Sequence, residues 1–247
     1  MINYKNLDEC AAFARLKSLP RLSVGSLLSP ERISASMVDM AAGLSYSYAA
    51  TPIDEEIIDC LESLAGEQQL LEKYQALLSG AVMNTGEGRM VLHHLARGRL
   101  GDSVGALGTD LRAFYEGERL KAADFARAVH AAAIRGSSGK AFKSAVQIGI
   151  GGSDLGPRAA CLALERWARA EGRQKMRAAF ISNVDPDDAD MLLGSLDLET
   201  SLFILVSKSG TTQETLANET LVRTRLEAAG LDSSKHIVAV TSKTSPL

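Results

Sequence analysis

Ser144-Ala145-Val146-Gln147-Ile148-Gly149-Ile150-Gly151-Gly152-Ser153-Asp154-Leu155 is the stretch that decides the fold. Ser144 to Ile150 is a short run rich in Val and Ile. It gives way to glycines and then to a helical pattern from Leu155 to Ala170. Three more runs of the same kind follow: Ala178 to Ser182, Leu202 to Ser207 and His236 to Thr241. Each is apolar on both faces, as parallel strands covered by helices on both sides must be. Pro186 to Leu193 and Thr212 to Ala229, the latter closed by Gly230, read as the intervening helices. Strand and helix thus alternate. The fold class is α/β: a parallel sheet with flanking helices and right-handed crossovers.

Upstream the period changes to that of helices. Thr51-Pro52-Ile53-Asp54 supplies a cap, a first-turn proline and an acid, and Ile53, Ile57, Leu61 and Leu64 follow at helical spacing up to Gly66. Leu70, Leu71, Tyr74, Leu77 and Leu78 mark a second helix ending at Gly80. A third is expected from about Arg89 to Arg97, and a fourth from Asp124 to Arg135 with Phe125, Val129 and Ala132 on one face. The domain reading is therefore a helical N-terminal region over residues 1–135 and a sheet domain over 136–247. Ile134-Arg135-Gly136-Ser137-Ser138-Gly139 is the expected joint.

Composition narrows the partners. Of 247 residues, 46% are hydrophobic and 23% charged, which excludes disordered and low-complexity classes. Lys plus Arg is 27 against 30 for Asp plus Glu, so the chain lacks the basic surplus of a general nucleic-acid binder or a polybasic membrane anchor. The longest apolar runs, such as Leu202 to Val206, cannot span a bilayer. Cys10, Cys60 and Cys161 are widely spaced and odd in number, which is no disulfide framework. A soluble, cytoplasmic protein is expected, with neither nucleic acid nor membrane as partner.

In open α/β sheets ligands sit outside the carboxyl ends of the strands. Two such loops stand out. Ser207-Lys208-Ser209-Gly210-Thr211-Thr212 ends a strand and opens a helix, offering backbone N–H groups, a helix-dipole positive end and hydroxyls in a cluster. Capping explains one hydroxyl, not the cluster. With Lys208, this is the chemistry for holding a phosphate without a metal. The first loop, Gly149 to Pro157, departs from the dinucleotide fingerprint by having Asp154 where a glycine is needed, and a carboxylate repels a pyrophosphate. Its glycines make a tight turn and let backbone approach a ligand at Gly152 and Ser153.

Other candidates are weaker. Ser137-Ser138-Gly139-Lys140 lacks the first glycine of a P-loop and precedes a strand. His93 and His94 are adjacent and cannot chelate one metal as an i, i+4 pair could. Asp185 and Pro186 read as a helix cap and first residue.

In chain order, Asn84-Thr85-Gly86-Glu87-Gly88-Arg89-Met90-Val91-Leu92-His93, Gly149 to Pro157, Ser182-Asn183-Val184-Asp185 and Ser207 to Thr215 resemble the glucose-6-phosphate isomerase family. The first is similar to its N-x-T-E-x-R-A-V-L-H segment, and Ser209-Gly210 stands where much of the family has Thr-Phe. The resemblance implies a SIS-type sugar-phosphate-binding domain. It implies interconversion of glucose 6-phosphate and fructose 6-phosphate by ring opening and enediolate proton transfer, with no metal or organic cofactor. Gly152 and Ser153 would line the sugar phosphate. Ser207, Lys208, Ser209, Gly210, Thr211 and Thr212 would form the phosphate loop, with Arg89 near the site. Family members are longer, with two SIS domains and a homodimer. The chain is thus expected to be the N-terminal part, inactive alone, its catalytic groups in the other half. A SIS-type regulatory module remains the alternative, and a nucleotide-dependent oxidoreductase is disfavoured by Asp154.

Overall fold

Strands β1 (Ser144–Ile148), β2 (Arg177–Ile181), β3 (Ser201–Val206) and β4 (Ile237–Val240) form one parallel sheet in the order β4-β3-β1-β2. The computed structural model describes residues 2–98, 100–106 and 108–247. It divides into two compact units, one ending at Gly117 and one running Glu118–Leu247. The division lies inside the helix Leu111–His130, so residues 118–135 group with the sheet.

Both faces of the sheet are covered, as the doubly apolar strands require. Val146 and Ile148 of β1, Ala179 and Ile181 of β2, and Phe203 and Leu205 of β3 point to one face. There they pack on α2 (Pro186–Gly194) through Ala189 and Leu193, and on α3 (Gln213–Ala228) through Val222 and Leu226. The α1 helix (Leu155–Ala170) follows β1 and packs on the other face, where its Arg158 lies over Phe180 of β2. Leu202 and Ile204 of β3 pack on that face with Phe125, Val129 and Phe142. Phe203 is wholly buried at the centre, and burying such a side chain contributes about 2–3 kcal/mol. Asp185 accepts from the Asp187 amide at 3.0 Å and Pro186 follows, as the sequence predicts.

The first unit corrects several expectations. The helix expected behind Thr51 is Glu55–Glu67, capped by Asp54, whose carboxylate accepts from the Ile57 amide at 3.0 Å, and the second expected helix is Leu70–Leu78. Thr51 cannot cap, because Arg32 donates to the carbonyls of Ala49, Thr51 and Ile53 and holds that segment outside the helix. Gly66 does not stop the helix; Gln69, at φ 51°, does. Residues 89–97 are not a helix. Arg89–Met90 pairs antiparallel with Val82–Asn84, because Asn84 accepts from the Glu87 amide and Gly88 turns at φ 63°. A short 3-10 turn, His93–Ala96, follows. The fourth helix starts earlier than expected, at Leu111, where the Asp110 carboxylate accepts from the Arg112 and Ala113 amides. It ends at His130, and Ala132 sits in the left-handed region at φ 56°. Met37–Asp39 with Ser45–Ser47, and Gly105–Ala106 with Thr109–Asp110, form two more small pairs, too short to show alternation in sequence.

β4 is an edge strand, with Ala239 and Val240 exposed. Its unpaired N–H and C=O groups can template another chain. Concentration-dependent elution on size-exclusion chromatography is expected, and Val240→Lys should suppress it. A wild-type elution volume that holds constant on serial dilution would rule this out.

Candidate functional site

The chain leaves β1 through α1 to its neighbour β2, returns through α2 to β3 on the opposite side of β1, and continues through α3 outward to β4. β1 and β3 are hydrogen-bonded neighbours whose exits run in opposite directions, with Ile148 in register with Leu205. A crevice outside the carboxyl ends of such a pair is where ligands bind in open α/β sheets. Both loops singled out from the sequence begin there.

The first loop is built by close packing. Gly151 takes φ 56° in the short turn Gly151–Ser153. At Gly149 a Cβ would stand 2.8 Å from the Ser153 carbonyl oxygen, so only glycine fits. Gln147, a polar residue buried in β1, donates from Nε2 to the carbonyls of Ser153 (3.0 Å) and Asp154 (3.4 Å). The loop's carbonyls are thereby drawn inward, while Gly151 and Gly152 stay exposed. Asp154 is only 3% exposed and does not cap α1. Its carboxylate instead pairs with Arg158 one turn on, Nε standing 2.9 Å from Oδ2.

The second loop folds on its own hydroxyls. The Gly210 amide donates to Ser207 Oγ at 3.1 Å, and Ser207 Oγ shares a hydrogen bond with Thr212 Oγ1 at 3.1 Å. The Thr211 amide and hydroxyl both donate to Ser209 Oγ, at 3.2 and 2.9 Å. Gly210 is at φ 70° against Ser245 and Pro246, leaving no space for a side chain. Thr212 occupies the cap position of α3 but makes no side-chain cap bond, its hydroxyl being held by Ser207. Among the described residues no side chain caps this 16-residue helix, and its first-turn amides suit a ligand or water. Beside them Thr215 Oγ1 is buried without a hydrogen-bond partner among the described residues.

Gly152 and Ser153 thus lie in the loop leaving β1, and Ser207 to Thr212 in the loop leaving β3, at adjacent strand ends. Ser207 and Gly210 are buried; Lys208, Ser209 and Thr211 are exposed. Arg89 belongs to the other unit, where it pairs with Glu87 at 3.5 Å. His94 Nε2 donates to the Leu78 carbonyl at 3.2 Å, a structural use. Sequence reasoning missed Gln147, Arg158 and Asn218. Gln147 signals itself as the amide inside an apolar run, and Arg158 as a cation one helical turn after Asp154. Asn218, buried in α3, donates to the Asn183 carbonyl at 2.9 Å and ties α3 to the loop after β2.

A doubly covered parallel α/β sheet with glycine and hydroxyl loops at its switch point defines the class. Within it the chain belongs to the phosphoglucose isomerase family, whose model matches residues 47–246. It is 51% identical over its whole length to a glucose-6-phosphate isomerase of Treponema denticola and 53% to one of Treponema pallidum, covering 48% of each. A crystal structure of a glucose-6-phosphate isomerase from Chlamydia trachomatis superposes on 98% of the chain with a TM-score of 0.80 and 34% identity, over 46% of that protein. The chain spans about half the length of the curated relatives it matches. Among the described residues no helix is long and apolar enough to cross a membrane.

Proposed function

We propose that the chain is the phosphate-holding part of a glucose-6-phosphate isomerase, acting in the cytoplasm, homodimeric as the full-length enzyme and independent of metal or organic cofactor. Residues 136–247 are the SIS-type sugar-phosphate-binding domain. The observation that carries the reading is the pairing of two loops at the switch point, one ending in an uncapped helix N-terminus among clustered hydroxyls. First-turn amides of α3 and the Ser209 hydroxyl, which accepts from Thr211 and keeps its own proton to donate, take the phosphate oxygens, with Ser207, Gly210, Thr211 and Thr212 shaping the loop. Lys208 adds positive charge. Gly152 and Ser153 bring backbone and a hydroxyl against the sugar. These residues fix the substrate by its phosphate end, which orients C1 and C2 toward groups that move the proton between them.

Titration of the chain with glucose 6-phosphate, followed by amide shifts, tests this. Shifts are expected at residues 207–212 and 151–153, with inorganic phosphate reproducing those at 207–212. Saturable shifts confined to other residues would reject the assignment.

A further inference from the structure

Asp154 presents a conflict. Its carboxylate is buried at the end of the loop proposed to meet the sugar phosphate, where a negative charge opposes an anion. Arg158 resolves it. The guanidinium holds both carboxylate oxygens through Nε, at 2.9 and 3.2 Å, and lies 4.9 Å over the Phe180 ring, which fixes its plane. Arg158 is itself two-thirds buried, so the pair is poorly screened by water. Its Nη2 is buried with no hydrogen-bond partner among the described residues, so the pair does not exhaust its donors. The Asp154 backbone, by contrast, serves the turn, because Gln147 grips its carbonyl and its amide donates to the Gly151 carbonyl. Replacing the carboxylate by an amide therefore alters charge while leaving the turn's backbone bonds in place.

We infer that Arg158 is a positioning residue that neutralises Asp154 and so sets the electrostatic potential of the Gly151–Ser153 loop, deciding how well that loop admits a phosphorylated sugar. The inference rests on the phosphate reading above. It adds that the loop's anion tolerance comes from a side chain one helical turn away, over a ring of the neighbouring strand.

The test is the affinity of the 247-residue chain for glucose 6-phosphate, read by amide shifts at several NaCl concentrations. Asp154→Asn leaves Arg158 unopposed and should bind about fivefold tighter at low salt, with a steeper salt dependence. Arg158→Met should bind about fivefold weaker, the deficit shrinking as salt rises. The double variant, Asp154→Asn with Arg158→Met, should return to within about twofold of wild type, which loss of packing alone would not produce. Should Arg158→Met fail to fold because it buries a lone carboxylate, Asp154→Asn and the double variant still decide. If wild type binds and Asp154→Asn binds no tighter, or its salt dependence is unchanged, the charge role is overturned and the phosphate site stands. If wild type shows no shifts in either loop, the phosphate site falls and takes this inference with it.

Discussion

Replacing His236 by Ala should destabilise the sheet unit by about 3–4 kcal/mol, among the larger losses one substitution can cause. The imidazole is completely buried just before β4. Nδ1 lies 2.9 Å from the Ser201 carbonyl, which can only accept, so Nδ1 carries the proton. Nε2 is then the acceptor, and it receives the Ser137 amide and hydroxyl, each at 3.1 Å. Phe142 stands edge-on at 5.6 Å, and a Cβ on Gly136 would fall 2.6 Å from the ring. Alanine leaves a cavity and strips these polar partners together; buried groups left unpaired cost about 1–3 kcal/mol each. Asn at this position can restore the bond to Ser201 but does not reach Ser137, so it should fall between wild type and Ala. Urea unfolding followed by circular dichroism gives the comparison. A loss below about 1 kcal/mol for His236→Ala would mean the ring is not the clasp described.

That clasp was not legible in the sequence, and the reason is physical. Ser137 and His236 are far apart in the chain, and nothing in either local pattern announces a partner. The sheet was legible because its cause is local: residues covered on both faces must be apolar at successive positions, and Val146, Ile148, Phe203 and Leu205 fill the buried face without a gap. The α1 helix was readable to its ends for a similar reason, lying between a glycine turn and a polar tail. The first unit was less so. Arg89 to Arg97 has helix-like composition, yet an Asn84 side chain accepting one amide and a glycine at Gly88 suffice to make a hairpin. The cap at Asp54 in place of Thr51 depends on Arg32, well upstream in the chain, gripping the carbonyls of Ala49, Thr51 and Ile53. At the site, the glycines and hydroxyls were visible as clusters. Their division of labour was not: Ser207 and Ser209 accept from Gly210 and Thr211 to fold the loop, Ser209 keeping its own proton, and the carbonyls after Gly152 are held by Gln147.

The purified 247-residue chain should read background in a coupled assay for glucose 6-phosphate isomerisation, when prepared from a host lacking its own isomerase. Aldose–ketose exchange needs a base beside C2 with a pKa suited to abstraction, and a group to open the ring. Two carboxylates, Asp154 and Glu214, fall within the segments 149–157 and 207–215. Asp154 is committed to Arg158 and buried away from solvent. Glu214 is exposed in the first turn of α3, where an acid complements the helix dipole. Holding the phosphate stabilises ground and transition states alike, so binding through residues 207–212 does not by itself raise the rate of the chemical step. A site without a positioned general acid or base forgoes about 10² to 10⁴ in rate. Glu214→Gln should therefore change neither the background rate nor, by more than about twofold, the affinity for inorganic phosphate. Turnover well above background that vanishes in Glu214→Gln would show that the catalytic base resides in this chain, at the helix proposed to hold the phosphate.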